Sequence, residues 1–373
     1  MSWGVAVLLA AALLVSAWPL FAALWWLRRV TAPPPLGLLP ADAKVVLVLP
    51  YAPPGDLGPL CRALAAQSLR PERLILAVAR LDHAPRLPPL PFPHVVVVAG
   101  RARERGQKCH NLLAALDAVP GDASAVVLLD ADILPQPWWL AALVGPVLRG
   151  SHQIAGGYRW PVPDPDRPLA QGVAWLDRAV ALLPKPRWLG IAWGGALALA
   201  PAILPLVRQV FERAVSDDLM LARRARQQGL GFVIRGAVLL PSPLGAGAFA
   251  FWARQLRVTR LHHRPLWWGQ AASTHALLLL WLFALGQPWP WLLAWLLAQG
   301  ALRAAVQDLA ARRIGAPDPP ATRAWQILCA ATPLPDLLSA AALWHSAFGR
   351  HLLWRGITYR IERDGSARVE AMG

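Results

Sequence analysis

Ala125-Val-Val-Leu-Leu-Asp130-Ala-Asp132 decides the fold. Five apolar residues in a row, with no polar alternation, read as a strand covered on both faces, and such strands belong to mostly parallel sheets. Two carboxylates follow at once. Open α/β sheets bind ligands beyond the carboxyl ends of their strands. Two hard oxygen donors at that place suit Mg2+ or Mn2+ bridging the phosphates of a nucleotide. An aspartate after a buried strand can equally be a turn residue or a helix cap, so the pair alone leaves both readings open.

Outward from this segment the same pattern recurs. Apolar runs of strand length stand at Val45–Leu49, Leu74–Val78 and Val95–Val98, with Phe232–Ile234 a shorter candidate. Helical patterns at Leu57–Gln67, Lys108–Val119 and Asp218–Gln228 separate them. Strands alternating with helices predict an α/β domain, drawn here over residues 44–264. Asp82 follows the Leu74–Val78 strand within a few residues, which brings it to the same sheet edge as Asp130 and Asp132. Lys108 and Asn111 open a helix and suit a phosphate or a ribose. Ser216-Asp217-Asp218 opens another, where an Asp is either the cap or a general base. Gly194-Gly195 either allows close backbone approach to a sugar or marks a turn.

The ends of the chain are of another kind. No charge occurs from Met1 to Leu27, and Arg28-Arg29 follow. About 20 apolar residues cross a bilayer, and charge after the stretch rather than before it predicts an uncleaved anchor, residues 1–30, with the following chain in the cytoplasm. A Pro-rich linker occupies 31–43. A second uncharged run, Leu266–Leu302, would be roughly 55 Å long as helix, too long for one crossing. Gly286-Gln-Pro-Trp-Pro290 breaks it, which predicts a transmembrane pair over 265–306 with an external turn. A cytoplasmic loop, 307–323, then leads to an apolar stretch, 324–348. Pro333, Pro335 and Asp336 interrupt that stretch, so it is expected to be re-entrant or interfacial. Alternation around Asp364-Gly365 predicts a hairpin over 349–373.

Composition agrees. The 373 residues are 56% hydrophobic and only 16% charged, too apolar for an ordinary soluble enzyme, where about 25% are charged. Three cysteines, Cys61, Cys109 and Cys329, make no disulfide framework and no metal spacing. A net charge of +16 raises nucleic acid as a partner, but the arginines argue otherwise. Arg254, Arg257, Arg260 and Arg264 precede the apolar pair, Arg303, Arg312, Arg313 and Arg323 follow it, and the turn between has none. Such a distribution marks one cytoplasmic face against anionic lipid, and no nucleic acid is needed. Arg254 and Arg257, three apart on a helix, either hold a diphosphate by bidentate bonds or pair with lipid phosphates.

Asp82, then Asp130-Ala-Asp132, then Ser216-Asp217-Asp218, then Arg254-x-x-Arg257, then paired apolar segments together resemble the family 2/21 membrane glycosyltransferases. The likeness is to ceramide glucosyltransferases and bacterial hopanoid-associated glycosyltransferases. It covers nearly the whole chain, including Pro333-Leu-Pro-Asp336 and Trp354-Arg-Gly-Ile-Thr-Tyr359-Arg near the end. The resemblance implies a GT-A (Rossmann-like) nucleotide-sugar domain with N-terminal and C-terminal transmembrane helices. It implies inverting transfer of one sugar from a UDP-sugar to a membrane lipid hydroxyl in the bacterial inner membrane. Asp218 matches the catalytic base, and Asp82, Lys108, Asn111, Asp130, Asp132, Gly195, Arg254 and Arg257 match or adjoin donor-binding positions. Asp130 and Asp132 would be the metal ligands. Val258 stands where the (Gln/Arg)-x-x-Arg-Trp motif has its Trp, so an aromatic that would shape the acceptor entrance or pack beside the donor phosphates is lost. Two other readings compete: a processive polysaccharide synthase, which needs more spans to line a channel, and a non-catalytic lipid-binding protein on a degenerate transferase fold.

Overall fold

A computed structural model describes residues 3–30, 37–186, 189, 191–286 and 289–372. Thr31–Leu36 of the Pro-rich linker and Gln287-Pro288 of the expected external turn lie outside the described residues. The chain divides into two units, each made of separated segments. One comprises 31–159, 185–242 and 350–373; the other comprises 1–30, 160–184 and 243–349. The contacts thus group 160–184 and 243–264 with the apolar helices, whereas the sequence reading drew a single domain over 44–264.

The first unit is built on a seven-stranded sheet, in the order β3-β2-β1-β4-β6-β5-β7. Its strands are β1 (Val45–Tyr51), β2 (Arg73–Val78), β3 (His94–Val98), β4 (Ala125–Leu129), β5 (Ile154–Pro163), β6 (Ala196–Leu199) and β7 (Phe232–Leu244). β1 pairs in parallel with β2 and β4, and β2 with β3. β6 lies antiparallel to both β4 and β5. The continuous apolar runs of β1, β2 and β4 are explained by what covers them, whereas the Val95–Val98 run lies on the edge strand β3 with Val96 and Val98 exposed. Val45, Leu47 and Leu49 face one core with Leu60 and Leu64 of α2 (Gly58–Ala65) and Leu140 and Leu143 of α4 (Trp139–Leu148). Val46 and Val48 face the other with Leu112 of α3 (Gln107–Asp117), Phe211 of α6 (Leu204–Phe211) and Leu221 of α7 (Asp217–Gln227). Alternate residues of one strand serve opposite cores. Each Val or Leu so buried contributes about 1.5–3 kcal/mol. The expected GT-A (Rossmann-like) α/β class is therefore present, and its parallel half, 3-2-1-4, reverses direction between β1 and β4.

Residues 350–373 belong to this unit and form a three-stranded antiparallel sheet rather than a single hairpin. Its strands are β8 (His351–Trp354), β9 (Ile357–Ile361) and β10 (Ala367–Met372). Arg355 and Gly356 both have positive φ, 52° and 74°, as the two-residue turn between β8 and β9 requires.

The second unit is helical: α1 (Trp3–Leu27), α5 (Pro168–Ala181), α8 (Ala248–His262), α9 (Arg264–Gly286), α10 (Pro290–Arg313), α11 (Pro320–Ala331) and α12 (Leu334–Ser346). α9 packs against α1, α8, α10 and α12, and α5 against α8, α10, α11 and α12. Ala6–Leu27 and Arg264–Gly286 are long and apolar enough to cross a membrane. α11 and α12 meet at an 80° bend and would count as a third span only if taken together. Proline accounts for the break, since Pro333 and Pro335 remove backbone donors where the helix would continue. α10 is not among the candidate spans, because Arg303, Asp308, Arg312 and Arg313 charge its second half. In the interior of this unit Arg178 donates twice to Asp318, at 2.6 and 2.7 Å, and Gln326 donates once more at 2.7 Å. The Arg178 guanidinium also lies over Trp160, 4.9 Å from the ring centre, and its Nε donates to the Pro161 carbonyl.

A carboxylate cluster at the end of the fourth strand

The seven-stranded unit places its chemistry at the switch between β1 and β4. β4 ends at Leu129, and its antiparallel register with β6 sets Leu129 opposite Ala196. One step further, the Asp130 N–H donates to the Gly195 carbonyl at 3.3 Å, so the loop before β6 runs beside the first carboxylate. The Asp132 carbonyl accepts from Ser242 Oγ at 3.0 Å, which ties the second carboxylate's backbone to β7.

α3 brings in the cation. Its first turn lacks a side-chain cap, and the Gln107 N–H donates instead to the Tyr359 hydroxyl of β9 at 3.2 Å. Gly106, before it, donates to the Ala214 carbonyl at 2.9 Å; a Cβ there would come within 3.0 Å of the Val215 carbonyl. That close approach draws the start of α3 onto the segment leading into α7. Lys108 Nζ consequently reaches Asp130 at 2.8 Å and Asp217 at 3.0 Å, with the lysine and Asp217 side chains only 12% and 5% exposed.

Gly194 closes the cluster. A Cβ on it would collide with Asp217 and stand 2.8 Å from Lys108 Nζ. Its N–H donates to Asp218 Oδ2 at 3.0 Å. Asp218 Oδ1 accepts from the Leu219 N–H at 2.7 Å and from the Ser216 hydroxyl. Three donors thus fix the Asp218 carboxylate at the first turn of α7, where the helix dipole also favours a negative charge.

Charge is unbalanced here, with four aspartates around one lysine. Burial works against the Lys108 ammonium, but Asp130, Asp217 and Asp218 more than offset it and hold the group protonated well beyond its usual range. Burial pushes the Asp217 carboxyl up to about 6, against the pull of Lys108. Asp132 is raised as well, first by burial and then by the charge of Asp130. An excess of half-buried carboxylate oxygens suits a divalent cation. Among the described residues no group of three or more His, Cys, Asp or Glu is placed to hold a metal ion by itself. Asp130 and Asp132 would therefore share such an ion with water and ligand oxygens, the usual manner of Mg2+.

The remaining expected residues are placed differently. Asp82 lies on a short turn, Leu81–His83, at the same sheet edge but two strands from β4; its exposed carboxylate pairs with Arg80 at 2.8 Å, which holds it below its usual range. Asn111 is buried, and its amide is engaged. It donates to the Tyr51 and Ala77 carbonyls at 3.4 and 3.3 Å and accepts from Gln107 at 2.8 Å, pinning α3 to the ends of β1 and β2. A Cβ on Gly195 would collide with the Trp193 ring. Arg254 and Arg257 belong to the helical unit, on α8; Arg254 lies 5.5 Å from the Phe251 ring centre, and Arg257 donates to the His345 carbonyl. Sequence reasoning did not single out Gly106 or the buried Asp217–Lys108 pair, whose members are over a hundred residues apart.

Residues 209–367 match the family model for glycosyl transferase family 21. The matched stretch contains Ser216-Asp217-Asp218, Arg254-x-x-Arg257, the apolar helices and most of the closing sheet. Among solved structures, the chain is similar to the mannosyltransferase PcManGT from Pyrobaculum calidifontis in complex with GDP-Man and Mn2+, at 17% identity and a TM-score of 0.46, over 90% of this chain and 99% of that one. It is also similar to a mycobacterial protein at 17% identity and a TM-score of 0.33, over 74% of this chain and 77% of that one. No curated protein matches the sequence.

Proposed function

We propose that this glycosyltransferase, of the family 2/21 kind its motifs resemble, moves one sugar, glucose or a related hexose, from a UDP-sugar to a hydroxyl of a membrane lipid. The acceptor is a ceramide, a hopanoid or a diacylglycerol, and the anomeric carbon is inverted. The work is done on the cytoplasmic side of a bacterial inner membrane, the orientation that the arginine distribution favours.

The observation that carries this reading is Asp218, held by three donors beside Asp130 and Asp217 at the edge where parallel α/β sheets bind ligands. Asp218 takes the proton of the acceptor hydroxyl as that oxygen attacks the anomeric carbon. The bond from that carbon to the UDP oxygen breaks on the opposite face, and its electron pair leaves with UDP. Lys108 keeps Asp130 and Asp217 in place and adds positive charge near the donor's phosphates. A Mg2+ or Mn2+ ion held by Asp130 and Asp132 would supply stabilisation of the negative charge gathering on the departing diphosphate. Gly194 and Gly195 admit the sugar close to the backbone, Asn111 positions α3, and Asp82 meets the uridine. Arg254 and Arg257 grip the diphosphate, with Val258 leaving that entrance without its aromatic. Two candidate spans, or three with the bent pair, favour single transfers over polymer export.

Membranes containing the protein, given a panel of UDP-sugars and a mixed lipid extract, should yield a lipid carrying one added sugar by mass spectrometry. EDTA should abolish it. A polymeric product would point to a processive synthase, and UDP-sugar binding without any glycolipid would point to the non-catalytic reading.

A further inference from the structure

Trp193 precedes the glycine pair of the site and has no part in the mechanism above. Trp139 and Trp160 are fully buried, as core tryptophans are, but Trp193 is only half-buried. Its own loop holds it. Gly194 and Gly195 turn their missing side chains to different neighbours. A Cβ on Gly194 would meet Asp217 and Lys108, whereas one on Gly195 would fall against the indole, 2.6 Å from Cε2. The six-membered ring of Trp193 therefore folds over the Gly194-Gly195 backbone. That backbone is the strip that joins Asp218 to Asp130: the Gly194 N–H donates to the Asp218 carboxylate, and the Gly195 carbonyl accepts from the Asp130 N–H. The indole also packs on the core that receives Ala131, the residue between Asp130 and Asp132. Tyr158 of β5 flanks it, with ring centres 6.1 Å apart and planes tilted by 48°. Lys185 Nζ in turn lies 4.1 Å from the Tyr158 ring centre. An aromatic side chain braced in this way loses little freedom when a ligand covers the surface it leaves exposed.

The transfer reaction dictates what lies along this strip. The donor's diphosphate is at Asp130 and Asp132, and the attacking oxygen comes from beside Asp218, so the sugar ring occupies the interval between them. A pyranose presents C–H groups on its faces. The face of an indole carries the negative part of its quadrupole and attracts such weakly positive hydrogens. The nucleobase is directed elsewhere, toward Asp82, two strands from β4.

We infer that Trp193 is the platform for the pyranose ring of the donor, held by Gly195 and Tyr158, and that it contributes to binding of the sugar and not of the nucleotide. The inference rests on the sugar-transfer reading above and deepens it, giving the sugar a contact that none of the residues assigned so far makes.

The test titrates the full-length protein in detergent, with Mn2+, against UDP, UDP-glucose, UDP-galactose and UDP-N-acetylglucosamine by calorimetry. Trp193→Leu should weaken the tightest of the three sugar nucleotides about five- to tenfold and leave UDP within about twofold. Trp193→Phe, which keeps an aromatic face, should recover most of that loss. Gly195→Ala should reproduce it, since the new methyl displaces the indole, and it carries the test if Trp193→Leu fails to fold. Equal weakening of UDP and the sugar nucleotide overturns the inference, because the ring would then be propping the whole site or stacking the base. Sugar-nucleotide affinity unmoved in Trp193→Leu and Gly195→Ala overturns it too, as does Trp193→Phe binding no better than Trp193→Leu. In all these outcomes UDP still binds the wild-type protein and the platform fails alone. Wild-type protein that binds neither UDP nor any of the three sugar nucleotides sinks the donor reading, and the platform with it.

Discussion

Two buried ionic clusters sit in the two units, and they are built on opposite plans. In the helical unit Arg178 and Asp318 are 1% and 2% exposed, one charge of each sign, with Gln326 and the Pro161 carbonyl completing their hydrogen bonds. In the sheet unit Lys108 faces Asp130 and Asp217, with Asp132 and Asp218 close by, so acid outnumbers base. A balanced and fully bonded pair has nothing left to offer a ligand, and it acts as structure. The unbalanced cluster retains negative charge that only a further cation or a proton can settle, which suits it to be a site.

The contrast predicts different failures. Asp218→Asn should lower sugar transfer by about 10²–10⁴-fold while UDP-sugar binding stays put, with a small fall in melting temperature because the amide cannot accept from all three donors. Turnover retained in that variant would remove Asp218 from its role. Arg178→Met should do the reverse, costing about 3–5 kcal/mol of stability by leaving Asp318 charged and buried. Thermal unfolding in detergent measures this, and adding Asp318→Leu should recover most of the loss. A single variant that melts normally would show the pair to be dispensable.

Gly194→Ala probes the packing of the unbalanced cluster. The new methyl must displace Asp217 and Lys108, so about 1–3 kcal/mol of stability should go, together with activity as Asp218 loses its Gly194 donor. Wild-type melting and turnover in this variant would mean the loop yields freely. The smallest effect concerns pH. A carboxyl at about 6 in the folded protein and 3.8 when unfolded binds its proton more tightly in the native state. Asp217 therefore makes stability fall as pH rises from about 4 to about 6. Asp217→Asn should flatten that slope, seen in denaturant titrations across the interval, and an unchanged slope would put the titration elsewhere.

The parallel half of the sheet was legible because β1, β2 and β4 are apolar on both faces; the four valines of β3 carry the same pattern at the sheet edge, where Val96 and Val98 are exposed. β5 and β6 were not. β5 contains Gly156-Gly157, which reads as a loop, yet a Cβ on Gly157 would lie 2.5 Å from Val238 Cγ1, and one on Gly156 2.7 Å from Ile234. These glycines serve close strand packing rather than a turn. α5 carries Asp177 and Arg178 and α8 carries Arg254, Arg257 and Arg260, so both read as parts of a soluble domain, because the sequence shows these charges but not that Arg178 is matched by Asp318. Of the site, the aspartates at element ends were visible from local pattern. The link from Lys108 to Asp217 was not, because it depends on Gly106 pressing α3 onto Val215.

The Tyr359 hydroxyl that receives the Gln107 N–H sets a schedule for biogenesis. Lys108 is synthesised early and its carboxylate partners soon after, but the residue that finishes the first turn of their helix emerges near the end of the chain. Between them lie all the apolar helices from α8 to α12. The ribosome must therefore have delivered those segments before the cluster's supporting helix can be capped. A chain truncated after α12 would be left with a loosened Lys108, which ties completion of the site to synthesis of the three-stranded sheet.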